Sequence, residues 1–361
     1  MKWSWKLGEI AGIGIYVHAT FLLLLGWVAL SYYIAGQSLA MMINGVVFLL
    51  ALFGIVVLHE LGHALTAKRF GIQTRDITLL PIGGVARLER MPDDPKQELW
   101  VALAGPAVNV VLAAVLYIAI GLTSGPPSLS NLSMVSGNFW EKLLWVNVSL
   151  AVFNLLPAFP MDGGRVLRAL LAMRLDYVRA TQIAAHVGQG MALLFGFIGL
   201  FYNPFLLFIA LFVWMGASQE ASMVQMKSAL GGIPIQAAMI KDFRTLAPAD
   251  SLERAVEHIL AGFQQDFPVV EQERVVGVLT RNDLLKALSQ RGQNGRVEEA
   301  MQRQFETADP NEMLETAFVR LQARGCHSLP LVRNGQLAGI LTMDNIGEFL
   351  LVQSALRKAR A

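Results

Sequence analysis

Six stretches within the first 220 residues are apolar enough, and close enough to 20 residues long, to cross a lipid bilayer: 11–34, 40–66, 99–122, 143–161, 182–201 and 204–220. Such a chain has few options, because backbone N–H and C=O groups in hydrocarbon must find partners within the protein, which favours a bundle of helices. Only Tyr202-Asn203-Pro204 separates the last two stretches, and proline lacks a backbone donor, so these two form a tight helical hairpin. Lys2 and Lys6 precede the first stretch, and no small-residue cleavage site follows a short apolar core, so it is read as a retained helix and not as a signal peptide.

Charge divides the chain in the same way. Residues 1–230 hold 14 of the 29 basic and 11 of the 27 acidic side chains, and residues 231–361 hold the rest in little more than half the length. A membrane part over 1–220 is therefore followed by a linker, 221–237, and a soluble part. A formal charge of +2, without a polybasic run or an acidic tail, excludes the usual basis for nucleic-acid binding. One cysteine, Cys326, excludes an intrachain disulfide framework and fits a reducing compartment.

Basic residues set the orientation, since short cytoplasmic loops carry the Lys/Arg excess. Lys2 and Lys6 precede the first stretch, Lys68, Arg69, Arg75, Arg87, Arg90 and Lys96 lie between the second and third, and Arg165, Arg168, Arg174 and Arg179 lie between the fourth and fifth. The opposite connections contain only Lys142. Both termini, and everything after about residue 221, are expected in the cytoplasm of a multi-pass cell-membrane protein.

The second stretch ends in His59-Glu60-Leu61-Gly62-His63. Positions i and i+4 share a helix face, so two imidazoles can bind one metal while Glu60, one residue along, reaches a water on it. This is the Zn²⁺ pattern of hydrolytic metalloenzymes, which need a third protein ligand and a carboxylate base. With Lys68 at the interface, His63 and His59 lie about 7 and 13 Å inside it at the helical rise. A chance motif with two packing histidines is the bland alternative, but an ionisable residue such as Glu60 is costly at that depth. The third ligand is expected from the run Asn154 to Gly164, where Pro157 and Pro160 break the helix and let Asp162 turn inward. The alternative for Asp162 is the N-cap of a short helix, Arg165 to Met173.

Together these residues resemble the site-2 protease family of intramembrane zinc metalloproteases. The resemblance rests on His59-Glu60-Leu61-Gly62-His63, Pro81-Ile82-Gly83-Gly84, Ala104-Gly105-Pro106-Ala107-Val108-Asn109 and the Asn154 to Gly164 run with its Met161-Asp162-Gly163. It implies six membrane helices, Zn²⁺ on His59, His63 and Asp162, Glu60 as general base, and cleavage of a substrate's transmembrane segment, in a membrane-tethered regulator or a signal-peptide remnant. Asn109 and Asn154 can donate to a substrate carbonyl or its oxyanion, although intramembrane Asn also bonds between helices. Residues 76–89 read as two short strands around a Pro/Gly turn, and their edge could clamp an unwound substrate by strand addition. His18 is left without a role, and His186 is read as a packing or helix-end residue.

Beyond residue 230 the chain repeats itself at an offset of 62. Met239 matches Met301, Thr245 matches Thr307, Pro268 matches Pro330, Gly277 matches Gly339, and Val278-Leu279-Thr280 matches Ile340-Leu341-Thr342. Each unit, 238–290 and 298–351, reads as an opening segment, a helix (Leu252–Ala261; Met313–Ala323), two apolar strands and a second helix after the Thr, with a tail over 352–361. This resembles a tandem pair of CBS domains, an α/β module that commonly binds adenosine nucleotides. The resemblance implies ribose contacts from Thr280 and Asp283, and from Thr342 in the second unit, where Asn345 stands in the Asp position and Asp344 comes one residue early. ATP, ADP or AMP is the expected ligand. The alternative is a structural module, or one through which two copies of the chain associate, since Thr-x-x-Asp is also a helix-capping pattern.

The fold expected is thus a polytopic α-helical membrane protein followed by a soluble α/β tandem module. The activity expected is an intramembrane zinc endopeptidase modulated by adenine nucleotide. A transporter or channel with a structural or transported metal is the competing class, disfavoured by Glu60 between the histidines and by the few polar residues on the other spans.

Overall fold

A computed structural model describes the chain except residues 1, 2, 37, 82, 90, 93, 126–137, 263, 325–327 and 361. Lys2, Ile82, Arg90 and Cys326 from the sequence reading therefore lie outside the described residues. Two compact units, Met1–Met223 and Val224–Ala361, make up the chain.

The first unit opens with strands, not a helix. β1 (Ser4–Ile10) and β2 (Ile13–His18) form an antiparallel hairpin, and helix α1 (Ala19–Ile34) begins only after His18, whose Nδ1 accepts from the Thr20 amide. Residues 11–34 are thus not one helix. The reason is long-range: β2 pairs in parallel with β3 (Thr74–Leu80), which pairs antiparallel with β4 (Gly83–Leu88), giving the sheet order β1-β2-β3-β4. Alternation in Ile13-Gly14-Ile15-Tyr16-Val17 puts Ile13, Ile15 and Val17 on one buried face. That face lies on α2 (Leu39–Arg69), where Ile13 and Ile77 pack with Leu61 and Ala64, and Val17 and Leu79 pack with Phe53 of α2 and Phe21 of α1. The two strands expected within 76–89 are β3 and β4.

Among the described residues, four helices are long and apolar enough to cross a membrane: α2, α3 (Pro95–Ser124), α6 (Tyr177–Phe201) and α7 (Phe205–Leu230). The six helical spans expected are therefore not all present as long helices. α1 and α4 (Phe139–Asn154) have 16 residues each, about 24 Å at the helical rise against a hydrocarbon core of about 30 Å. Asn203 interrupts the α6–α7 hairpin and caps α7 through the Phe205 amide. α7 continues to Leu230, so residues 221–230 of the expected linker are helical. A turn at Leu155–Met161 leads from α4 into the short helix α5 (Asp162–Ala172). This helix starts at Asp162, three residues earlier than the sequence suggested, with Met161 at the N-cap position.

The second unit is a duplicated α/β module. Its first repeat contains α8 (Leu252–Ala261), β5 (Phe267–Glu271), β6 (Arg274–Leu279) and α9 (Arg281–Arg291), and its second contains α10 (Leu314–Arg324), β7 (Ser328–Arg333), β8 (Gln336–Thr342) and α11 (Met343–Arg360). The repeats exchange their opening segments. Ile240 of the first bridges Ile340 of the second, and Gln302 of the second bridges Val278 of the first. Gly277 and Gly339 leave room for Met301 and Met239, each from the other repeat. The offset seen in the sequence is therefore a two-fold swap, which packs each repeat with part of its neighbour.

Candidate metal centre

His59 and His63 lie one turn apart on α2, and both side chains are buried. Their Nε2 atoms are 3.2 Å from each other, and Asp162 Oδ2 lies 3.2 Å from His59 Nε2 and 3.1 Å from His63 Nε2. These three are the group among the described residues whose donor atoms can share one metal ion. A tetrahedral zinc with bonds of about 2.0–2.1 Å has ligand–ligand edges of about 3.3–3.4 Å, close to this triangle.

The outward nitrogens test the fit independently. His63 Nδ1 lies 2.7 Å from the Val101 carbonyl, which can only accept, so Nδ1 carries the proton and Nε2 presents a lone pair. His59 Nδ1 lies 2.5 Å from Asn109 Oδ1, and Asn109 Nδ2 donates to Asn147 Oδ1 at 3.2 Å. Asn147 Nδ2 donates in turn to the Leu143 carbonyl at 2.9 Å. Because that carbonyl only accepts, both amides are oriented and His59 Nδ1 is also the donor. Two imidazole lone pairs and a carboxylate oxygen converging in a buried space repel one another unless a cation lies between them, so this donor set fits a divalent metal.

Backbone packing makes the approach possible. On α3, Gly105 faces both imidazoles, and a Cβ there would collide with the Nε2 atoms of His59 and His63. Asn109 follows four residues later on the same helix, so one face of α3 supplies both the space and the acceptor. Glu60 is half-buried beneath β4, where a Cβ on Gly84 would lie 2.9 Å from Glu60 Cγ. That contact puts β4, an outer strand of the sheet among the described residues, beside the carboxylate expected to be the base.

Asn109 bonds to His59, and Asn154 Nδ2 bonds to the Leu150 carbonyl one turn back in its own helix at 3.0 Å. His18 caps α1, and His186 is exposed on α6. Asn147, fully buried, was missed by sequence reasoning, although a second Asn two turns before Asn154 in an apolar helix was a usable signal. Arg168, counted in the sequence among the basic residues between the fourth and fifth stretches, is fully buried.

In the second unit a cavity of about 750 Å³ is lined by residues of both repeats, among them Thr280, Arg281, Asp266, Thr342, Asp344 and Glu348. Thr280 caps α9, and its hydroxyl lies 2.6 Å from Asp283 Oδ2, which also accepts from Gln302 Nε2 at 2.7 Å. Thr342 and Asn345 make the equivalent pair at 2.5 Å. Both threonines therefore face one cavity while capping their own helices.

Comparison with known proteins agrees with both halves. The profile of Peptidase family M50 matches residues 47–195, and that of the CBS domain matches residues 233–290 and 297–351. Zinc metalloprotease MJ0392 of Methanocaldococcus jannaschii is 33% identical over 354 residues, covering 96% of each chain. Stage IV sporulation protein FB of Bacillus subtilis is 32% identical over 157 residues, 43% of this chain and 51% of that protein. The solved site-2 protease from Methanocaldococcus jannaschii is 37% identical and covers 61% of this chain and 95% of that one, with a TM-score of 0.45.

Proposed function

This chain belongs to Peptidase family M50, and on that premise we propose that it is an intramembrane endopeptidase whose metal is held by His59, His63 and Asp162, with Glu60 as the general base. The observation that carries the assignment is the convergence of His59 Nε2, His63 Nε2 and Asp162 Oδ2 to within 3.2 Å of one another. A zinc ion on these donors would polarise the scissile carbonyl and acidify a water molecule. Glu60 would be the base that takes a proton from the attacking water and returns one to the leaving amine. Asn109 and the Val101 carbonyl keep both histidines in the tautomer that presents Nε2. An unwound stretch of substrate pairs with the edge of β4, which delivers its carbonyl beside Glu60. Membership in a peptidase family favours this chemistry over transport of a metal.

The substrate in this reading is a transmembrane segment of a membrane-tethered protein or a signal-peptide remnant. The chain crosses the bilayer six times, with both termini and the duplicated module in the cytoplasm. The first crossing joins β2 to α1, whose strand partners satisfy the backbone groups that a helix would satisfy internally. An adenine nucleotide in the cavity lined by Thr280 and Thr342 modulates the activity.

Substitution Glu60→Gln tests the assignment. Purified protein in detergent or nanodiscs should keep one zinc per chain and lose about 100-fold or more of its cleavage of a membrane-spanning test peptide. Cleavage at the parent rate by that variant would falsify the role of Glu60.

A further inference from the structure

Arg168 is a charged side chain with 0% exposure on a helix whose first residue is Asp162. Its Nε and Nη2 donate to Glu98 Oε1 at 2.8 and 2.5 Å, and its Nη1 donates to Glu220 Oε1. The guanidinium carbon lies 5.0 Å from the ring centroids of both Phe159 and Tyr177. One planar group thus joins five segments: the turn before Asp162 (Phe159), α5, the first turn of α3 (Glu98), the start of α6 (Tyr177) and α7 (Glu220).

Two of these segments meet the metal centre, since α5 begins with Asp162 and α3 carries Val101. Phe159 is three residues before Asp162, and Glu98 is three residues before Val101, whose carbonyl fixes His63. Movement of α5 against α3 would therefore shift Asp162 relative to the carbonyl that orients His63. A buried guanidinium resists that movement because its donors have fixed directions and its charge has no solvent to turn to.

We propose that Arg168 is a positioning residue of the metal centre, clamping α5 against α3 so that Asp162 Oδ2 is held within ligand distance of both histidines. The inference rests on His59, His63 and Asp162 being the metal ligands. Lysine at this position keeps the charge but loses the fork that reaches Glu98 and Glu220 and the plane that stacks on Phe159 and Tyr177.

The test compares Arg168→Lys with Leu167→Ala, a neighbouring change on α5 that removes packing and leaves the guanidinium intact. Each variant in detergent is assayed for helical content, thermal midpoint, zinc affinity against a competing chelator, and the visible absorption of the Co²⁺-loaded protein. Arg168→Lys should keep the parent's helical content, bind zinc at least tenfold more weakly and change the cobalt bands, while Leu167→Ala keeps the parent's affinity and bands. Parent-like zinc affinity and cobalt bands in Arg168→Lys would overturn the proposal, as would equal zinc loss in the two variants at matched thermal midpoints. Should Arg168→Lys not fold, Glu220→Gln removes one arm of the clamp: shifted cobalt bands are expected, and parent-like bands overturn the proposal. A parent protein that binds no stoichiometric zinc would instead sink the assignment of the metal centre, and this proposal with it.

Discussion

His59 Nδ1 and Asn109 Oδ1 stand 2.5 Å apart at the head of a relay of amides that runs through Asn147 to the Leu143 carbonyl. The imidazole facing the metal position is therefore aimed from two other helices, α3 and α4. An outer hydrogen bond of this kind costs 10–100-fold in metal affinity or activity when it is lost.

Replacing Asn109 with Leu removes the acceptor and leaves His59 free to rotate or change tautomer. Zinc affinity, measured by chelator competition, should fall by about 10- to 100-fold, with cleavage falling in parallel. Asn147→Leu should weaken zinc by less, because it acts only by orienting Asn109. An Asn147 effect larger than that of Asn109 would contradict the order of the relay.

Gly105 leaves the space that both imidazoles occupy, and a methyl group there would overlap both Nε2 atoms. Gly105→Ala should therefore abolish stoichiometric zinc in a folded protein, read as metal content after gel filtration beside an unchanged helical spectrum. Retention of one zinc per chain would mean that α3 can withdraw from α2 without loss.

Gly84 brings β4 against Glu60, where a Cβ would lie 2.9 Å from Glu60 Cγ and 2.8 Å from Val56 Cγ1. Zinc binding should survive Gly84→Val, because no metal ligand is touched, while cleavage drops by about tenfold or more through displacement of the base from its optimal geometry. Parallel assays of metal content and peptide cleavage separate the two effects.

Removing the metal should stop cleavage reversibly. Dialysis against a chelator should bring activity to background and added Zn²⁺ should restore it, whereas Asp162→Ala should be restored poorly at the same free zinc concentration. Full restoration of Asp162→Ala would remove Asp162 from the ligand set.

Thr280 and Thr342 line one cavity and cap α9 and α11 respectively. Loss of such a cap costs about 1 kcal/mol. Thr280→Val should speed amide hydrogen exchange in the first turn of α9 and weaken the heat of adenine nucleotide binding measured on the full chain. Faster exchange with no change in nucleotide heat would leave Thr280 a cap alone.

What could be read from the sequence was mostly local. His59 and His63 are four residues apart, so the helical period places them on one face whatever surrounds them, and apolar length marked α2, α3, α6 and α7 for a similar reason. Duplication was equally legible, since an offset of 62 needs only comparison of the chain with itself. Hydropathy misread residues 13–18 as helix, because apolar content alone does not separate a helix from a buried strand whose backbone groups are paired. Here the partners are 62 residues away, in β3. The surroundings of Arg168 could not be read at all, because nothing near it in sequence reveals Glu98, 70 residues earlier, or Glu220, 52 residues later.

By itself, then, the sequence determined the two histidines on one helix face, the long apolar helices and the repeat, since each follows from composition or from spacing within one element. Only the tertiary structure decided which nitrogen of each histidine carries its proton, how the first span divides into strand and helix, and what surrounds Arg168. Those outcomes depend on hydrogen bonds between elements far apart in the chain, and the energy of a buried polar group is set by the partner it meets, not by its neighbours in sequence.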